Sequence, residues 1–502
     1  MVACSAACRE QILGRAAALA VGVVPAVAFP APAWWWLAWF GVVPLLLVVR
    51  AAPTPRAAAI RAWLGAGGFV LTTQHWLATS IGPMLAVFAV GFGALWLPWG
   101  WLAHRLLSAP VTVGRTVAAL VVLPSAWVAA EAVRSVPWLG GPWTSLGGSQ
   151  WNQPVTLASA ALGGVWLTSF LLVATNTAIA GMIVHREMRG RLIALACVVA
   201  CAGVGPAWYL LGPAPARGPT VRVALVQPGS IVDSRARQAA SETLTATVAG
   251  QRPDLVVWGE SSVGQDLTSH PEVLARLADL SRQVGADLLV NVDAAAPSGR
   301  IYKSATLVGE RATLRSYQKS RLVPFGEYVP LRPVFGWITR YTKAAAEDRQ
   351  RGTGPVALRI SSPGTLVIGP LISYETTFSD LARREVQLGA ELLVYQSSTS
   401  TFQGTWAQPQ LAALPAVHAA EVGRPAVHVG LSGDSSAFDA RGRRLAWCPS
   451  GYQGVVVVTV SLASSATLYQ RLGDGVLVPA FAILGFALFR WRRFPRDDTL
   501  RG

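Results

Sequence analysis

Seven apolar runs crowd into the first 212 residues, at about 12–29, 33–50, 58–80, 84–103, 115–134, 155–184 and 191–212, and an eighth spans about Gly475 to Phe489. Each of the seven is long enough, as a helix, to cross a hydrocarbon layer about 30 Å thick. A backbone in lipid must satisfy its own hydrogen bonds, so runs of this kind pack as a helical bundle. The chain as a whole is 52% hydrophobic and 14% charged, with a mean hydropathy of +0.42. A water-soluble globule of that composition would expose more apolar surface than water tolerates. Arg9 and Arg15 precede the first run as in a signal peptide, but the runs behind it favour a stable polytopic protein.

The arginines set an orientation. Arg50, Arg56 and Arg61 flank the second and third runs, Arg105 and Arg115 the fourth and fifth, and Arg186, Arg189 and Arg191 the sixth and seventh. Arg490, Arg492, Arg493 and Arg496 follow the last run, whereas the alternate connections, Pro137 to Pro154 among them, carry no charge. Positive loops stay in the cytoplasm. Both termini are therefore expected there, with the region between the seventh and eighth runs outside. The net charge of +16 and the pI near 10.5 reflect this clustering, and they give no support to nucleic-acid binding.

The outside region reads as an α/β domain of about 250 residues. Strands are expected at Val221–Val226, Asp254–Trp258, Asp287–Val292, Ser304–Val308, Thr365–Ile368, Leu392–Tyr395, Ala426–Val429 and Val455–Val460. Helices are expected at Ala239–Ala249, Pro271–Val284, Thr377–Leu388 and Gln408–Val422, and Pro213 to Pro219 forms a linker. The expected organisation is a membrane domain over 1–212, the α/β domain over 213–470, and an eighth helix with a basic tail over 471–502. The connection from Leu331 to Thr353 is long and carries Phe335, Trp337 and Tyr341. Facing a membrane, such a loop is expected to dip among acyl chains.

Cys4, Cys8, Cys197, Cys201 and Cys448 form no disulfide framework, and the six histidines fall into no ligand spacing. With no HExxH, P-loop or GxGxxG present, neither a metal nor another cofactor is expected. All three lysines, Lys303, Lys319 and Lys343, lie in one stretch of an otherwise arginine-only chain. A lysine kept where arginine supplies the same charge suggests a need for a compact ammonium, against the plain alternative of a surface lysine.

Three polar residues follow strands closely enough to gather at one sheet edge. Glu260 follows Asp254 to Gly259, Lys319 follows Thr313 to Tyr317, and Ser373 ends the run Leu371-Ile372. Singly, a glutamate after a strand reads as a helix cap and a serine in a turn as a turn residue. Together, and with Phe325-Gly326-Glu327-Tyr328-Val329-Pro330 downstream of Lys319, they resemble the apolipoprotein N-acyltransferase family, the membrane branch of the nitrilase fold. Trp127 to Arg134, Pro142 to Gly147 and Gln150 in the membrane part also look like that family. Glu131 and Arg134 near a membrane end would be costly unless paired or facing a polar cavity.

The resemblance implies a polytopic membrane domain of about eight helices carrying an extracytoplasmic αββα sandwich. It implies that Glu260 is the general base, that Lys319 stabilises the tetrahedral intermediate, that Ser373 is the nucleophile, and that Glu327 supports the site. Tyr374 and Glu375 would shape the oxyanion and acyl-binding region. By the same resemblance the enzyme lies in the bacterial plasma membrane, and bulk properties favour a monomer. It takes a fatty acyl group from a phospholipid and passes it to the α-amino group of an apolipoprotein's diacylglyceryl-cysteine.

The chain departs from the family at several positions. Ser373 stands where the family has cysteine, Gly259 where it usually has proline, and Ser397-Ser398-Thr399 where an asparagine-rich loop is expected. A thiol of pKa about 8.5 supplies a usable thiolate and a readily aminolysed thioester, whereas a hydroxyl needs its base throughout. Ser373 is either an introduced change or the mark of a natural paralogue, and the scattered departures lean toward the latter. Three functions therefore stand beside one another: acyl transfer, lipid or lipoprotein binding without turnover, and a serine-type amidase or lipid hydrolase. Cys448 is a weak substitute nucleophile, and no Gly-x-Ser-x-Gly surrounds Ser373.

Overall fold

A computed structural model describes residues 6–108, 112–216, 218–296, 299–340, 347–360 and 366–493. Six helices among the described residues are long and apolar enough to cross a membrane: Cys8–Ala28, Met84–Leu107, Val113–Arg134, Ala160–Val184, Met188–Leu211 and Leu468–Arg490. The expected runs at 33–50 and 58–80 take other forms. Trp35–Arg50 is a shorter apolar stretch, and Pro55–Thr73 is a 19-residue helix rich in alanine and glycine. Its small residues let neighbours close in, since a Cβ on Gly22 would lie 2.0 Å from the carbonyl oxygen of Gly65. Close backbone approach holds helices together where lipid removes the hydrophobic drive.

The α/β part contains β1 (Thr220–Gln227), β2 (Leu255–Trp258), β3 (Asp287–Ala295), β4 (Ile301–Val308), β5 (Leu314–Gln318), β6 (Leu358–Ile360), β7 (Leu366–Ile372), β8 (Leu392–Ser397), β9 (Ala426–Gly430), β10 (Ser435–Phe438), β11 (Arg444–Cys448) and β12 (Gly454–Ser461). They form two six-stranded sheets, β12-β1-β2-β3-β4-β5 and β11-β10-β9-β8-β7-β6. β1, β2 and β3 run parallel, as do β7, β8 and β9, and the remaining pairings are antiparallel. The short β6, β10 and β11 were absent from the sequence reading, and Thr365, the expected start of β7, lies outside the described residues.

Period-two alternation assigns the layers. Val223, Leu225 and Val257 point into the core between the sheets, while Ala224, Val226, Val256 and Trp258 pack under the helices Ser234–Ala246 and Pro271–Val284. The first of these helices begins five residues earlier than expected because the Asp233 carboxylate accepts the Ala236 N–H at 2.8 Å. Helices Ser379–Gln387 and Ala407–Val422 cover the other sheet, completing a helix–sheet–sheet–helix stack.

Ala407–Val422 is buried along its whole length. One face floors the second sheet and the other meets the membrane helices, so a single apolar core runs from Val223 through Ile368 and Val417 to Val165 and Trp166. Polar side chains pin the junction. Glu421 accepts the Val165 N–H at 2.7 Å, where Gly163 and Gly164 break the helical geometry of Ala160–Val184. Gln410 accepts from the indoles of Trp76 (3.2 Å) and Trp143 (2.8 Å) and donates to the Thr73 carbonyl.

Candidate active site

Glu260 lies just past β2, and its position is tightly held. Gly259 before it passes so close to the second sheet that a Cβ would lie 2.5 Å from Leu431 N, which is a local reason for glycine there. The Glu260 N–H donates to the Ser397 carbonyl (3.1 Å), and the Ser398 N–H donates to Glu260 Oε2 (2.8 Å). Behind it, Asn291 Oδ1 accepts the Ser261 N–H at 2.9 Å, and Gln396 Nε2 donates to the Trp258 and Leu289 carbonyls. These bonds clamp the carboxyl ends of the two sheets together.

Lys319 follows β5 and is wholly buried. Its ammonium lies 2.9 Å from Glu327 Oε2 and 3.7 Å from Glu260 Oε1. Glu327 Oε2 also accepts the Val323 N–H at 2.9 Å, which fixes the turn that carries it. Lys319, Glu327 and Glu260 are thus brought into one charged cluster. Closest to Glu260, however, is Lys303 of β4, whose Nζ lies 2.7 Å from Oε1. Burial alone would raise the Glu260 carboxyl, but Lys303 and Lys319 outweigh it and hold it at about 2. Burial would likewise lower Lys303, and Glu260 with Asp293 raises it instead.

Ser373 begins a 3₁₀ turn, Ser373–Thr377, directly after β7. Its φ of +55° is left-handed, a conformation that costs a residue with a Cβ about 1–3 kcal/mol and persists only where the surroundings impose it. Such a turn projects the side chain off the end of the sheet. Ile372 pairs with Gln396 in β8, which puts Ser373 level with the Ser397-Ser398 segment that holds Glu260.

The next two residues face elsewhere. Tyr374 donates its hydroxyl to the Pro137 carbonyl at 2.7 Å and packs edge-on against Phe378. Glu375 is fully buried and takes hydrogen bonds from the segment beside Lys319. Glu375 therefore braces the turn rather than opening onto a ligand.

Phe335 and Trp337 are exposed in the short helical turns Arg332–Phe335 and Gly336–Arg340, whereas Tyr341 and Lys343 lie outside the described residues. Phe325, in the Lys319 loop, meets Phe88 of the membrane helix Met84–Leu107 edge-on. Cys448 ends β11, with three strands between it and β7, and it is buried. Glu131 and Arg134 are also buried: Glu131 accepts the Leu146 N–H at 2.8 Å, and Arg134 donates to Thr144. They brace the connection after Val113–Arg134 from within the protein.

Two members of the charged cluster, Asp293 and Arg349, carry no signal in the sequence, and Lys303 stands out there only as one of three lysines. The signal for Lys303 was present in the confinement of lysine to one stretch. Asp293 and Arg349 look like any solvated charges until the fold brings them together.

Both halves of the chain match known protein families. Residues 21–178 match the family described as apolipoprotein N-acyltransferase N-terminal domain, and residues 222–470 match carbon-nitrogen hydrolase. An apolipoprotein N-acyltransferase from Gloeobacter violaceus is 28% identical over 509 residues, covering 95% of this chain and 94% of that protein. One from Pseudomonas paraeruginosa is 29% identical over 521 residues, covering 97% and 98%. Among solved structures, an amidase from Nesterenkonia sp. is similar at 17% identity with a TM-score of 0.37, covering 54% of this chain and 99% of that one. The architecture is one of several membrane-length helices joined to a nitrilase-like sandwich of two six-stranded sheets. Across nearly its full length, the chain belongs to the apolipoprotein N-acyltransferase family of the carbon-nitrogen hydrolase superfamily.

Proposed function

We propose that this multi-pass membrane acyltransferase of lipoprotein maturation works through an ester on Ser373. Glu260 takes the Ser373 proton as the hydroxyl oxygen attacks the acyl carbonyl of a membrane phospholipid. The ammonium of Lys319, held by Glu327, faces the negative charge that develops on the carbonyl oxygen. Lysophospholipid leaves with the proton. The free α-amino group of an apolipoprotein's diacylglyceryl-cysteine then attacks the ester, forms an amide and returns the hydroxyl to Ser373.

The observation that carries this reading is the 3.7 Å approach of Lys319 to Glu260 at the sheet end where the strained Ser373 turn emerges. The arginine-rich connections support an orientation with both termini in the cytoplasm and the sandwich outside, where both lipid substrates lie. The exposed Phe335 and Trp337 support a loop that enters the acyl region. A division of the chain at about 212 and 470, with eight spans, fits the same scheme.

Binding without turnover is the second reading. It is favoured by the hydroxyl at position 373 together with a Glu260 carboxylate held at about 2, a weak base for so weak an acid. The test is to incubate phospholipid vesicles and a diacylglyceryl-peptide with the full chain and with Ser373→Cys. N-acylated peptide from either supports acyl transfer through position 373. Peptide bound but unmodified by both leaves the binding reading, and free fatty acid without amide marks hydrolysis.

A further inference from the structure

Six side chains, Glu260 among them, alternate in charge and close on themselves. Glu260 lies 2.7 Å from Lys303, Lys303 3.5 Å from Asp293, and Asp293 3.5 Å from Arg349. Arg349 lies 3.8 Å from Glu327, Glu327 2.9 Å from Lys319, and Lys319 3.7 Å from Glu260. Three carboxylates meet three cations, so the ring carries no net charge. Lys303 closes it from β4, where the strand register sets it opposite Asp293.

A cross-strand pair on a sheet surface would end with Asp293. Lys303 instead reaches past it to Glu260 Oε1 and to Ser261 Oγ, at 2.7 and 3.0 Å, and only 11% of its side chain is exposed. Burying an ammonium this way is no route to stability, since an apolar residue of similar size generally serves as well or better. Its effect falls on Lys319. A carboxylate with a single ammonium beside it draws that ammonium into contact. Here Lys303 occupies Glu260 Oε1, and Lys319 stays with Glu327, standing off from the base.

We propose that Lys303 is a positioning residue of the active site, which holds Glu260 in place and keeps Lys319 free of it, so that Lys319 faces the nucleophile turn at Ser373. The role rests on the reading of Glu260, Lys319 and Ser373 given above. The groups facing Glu260 are Lys303 from β4, Lys319 after β5 and the Ser398 N–H after β8. Asp293, Glu327 and Arg349 surround these, and Arg237 holds the Ser261 carbonyl beside them. Without the Lys303 charge the cluster carries a net negative charge, which opposes anion formation at position 373.

The experiment uses the full chain in detergent with Ser373→Cys, and reads the rate at which iodoacetamide alkylates that thiol against pH, resolved from the other cysteines by peptide mass spectrometry. Adding Lys303→Met is expected to raise the inflection by about one pH unit, a roughly tenfold fall in rate near neutrality. Lys303→Arg, which keeps the charge, is expected to stay within about twofold of the parent at that pH. An unmoved inflection in Lys303→Met overturns the proposal, as does an equal shift in both variants. If Lys303→Met gives no cooperative melt, Asp293→Asn, which removes an anion and leaves Lys303 in place, is expected to lower the inflection, and no change there overturns the proposal. No acyl transfer enters this measurement. A chain that alkylates as expected yet never acylates peptide refutes the acyl-transfer reading and leaves the role of Lys303 standing.

Discussion

The carboxylate of Glu375 accepts the backbone N–H of Ser320 at 2.8 Å, and so ties the turn at Ser373 to the residue next to Lys319. The same oxygen takes the Arg321 N–H at 2.9 Å, the Ser320 hydroxyl at 2.8 Å and the Tyr317 hydroxyl at 2.6 Å. The other oxygen takes the Ile372 N–H at 2.9 Å. Two loops from different sheets are thereby held by one side chain. Glu375→Gln turns a donor toward a set of donors, and is expected to cost about 2 kcal/mol of stability and about tenfold in kcat/KM. Thermal melting and peptide acylation check this together; a variant with the parent's melting temperature contradicts the bracing role.

Position 373 separates the chemistry of oxygen and sulfur. Ser373→Cys offers a thiol that ionises about six orders of magnitude more readily than an alcohol, and is expected to raise acyl transfer at least about tenfold. Ser373→Ala is expected to abolish it. Intact mass after incubation with phospholipid should show an acyl adduct on the cysteine variant and none on the alanine variant.

Lys319 is buried against two carboxylates, so removing its charge has two effects. Lys319→Met is expected to lower kcat by about 10²–10³-fold, the scale of losing an oxyanion donor. It is also expected to lower the melting temperature, because Glu327 is left buried without its ammonium. Lys319→Arg should recover the melting temperature in part without recovering kcat, since a planar fork does not occupy the place of a compact ammonium.

Glu385 marks a pH-dependent weakness away from the chemistry. It is fully buried under Gly369; Oε1 accepts the Val356 N–H at 3.2 Å and, among the described residues, Oε2 has no hydrogen-bond partner. Burial pushes its carboxyl up to about 8. A carboxyl raised in the folded state binds its proton more tightly there than in the unfolded chain. Stability is therefore full below the unfolded pKa of about 4.3 and falls as pH rises toward about 8. Glu385→Gln is expected to flatten this slope, matching the parent near pH 5 and melting higher at pH 8. Parallel melting curves for the two proteins across that window would count against it.

How far the sequence reached depended on how local each signal was. Most of the apolar runs, and the strands before Glu260, Lys319 and Ser373, are local patterns with counterparts in the structure, whereas 33–50 and 58–80 take other forms. β6 has three residues and β10 reads Ser-Ser-Ala-Phe, too short and too polar to stand out before their neighbours bury them. The helix Pro55–Thr73 is poorly apolar because its small residues serve close packing, which composition does not report. Lys303 lies in mid-strand, and only the pairing with Asp293 and the turn after β2 reveals that its face is the one bearing Glu260. Tyr374 and Glu375 follow Ser373 in sequence, yet backbone geometry at Ser373 sends one to Pro137 and the other to Ser320.

The helix Ala407–Val422 is at once the floor of an enzyme and the wall of a membrane bundle. The boundary that composition draws near residue 213 is therefore bridged in space by packing. A fragment cut there would bare the apolar face that Val165 and Trp166 cover, and would leave Gln410 and Glu421 without the Trp76, Trp143 and Val165 donors they accept from. The two halves match separate family descriptions, yet this shared helix binds their inheritance together. Exchanging either half with a relative's requires matching changes along Ala407–Val422, so the halves are expected to have changed in step.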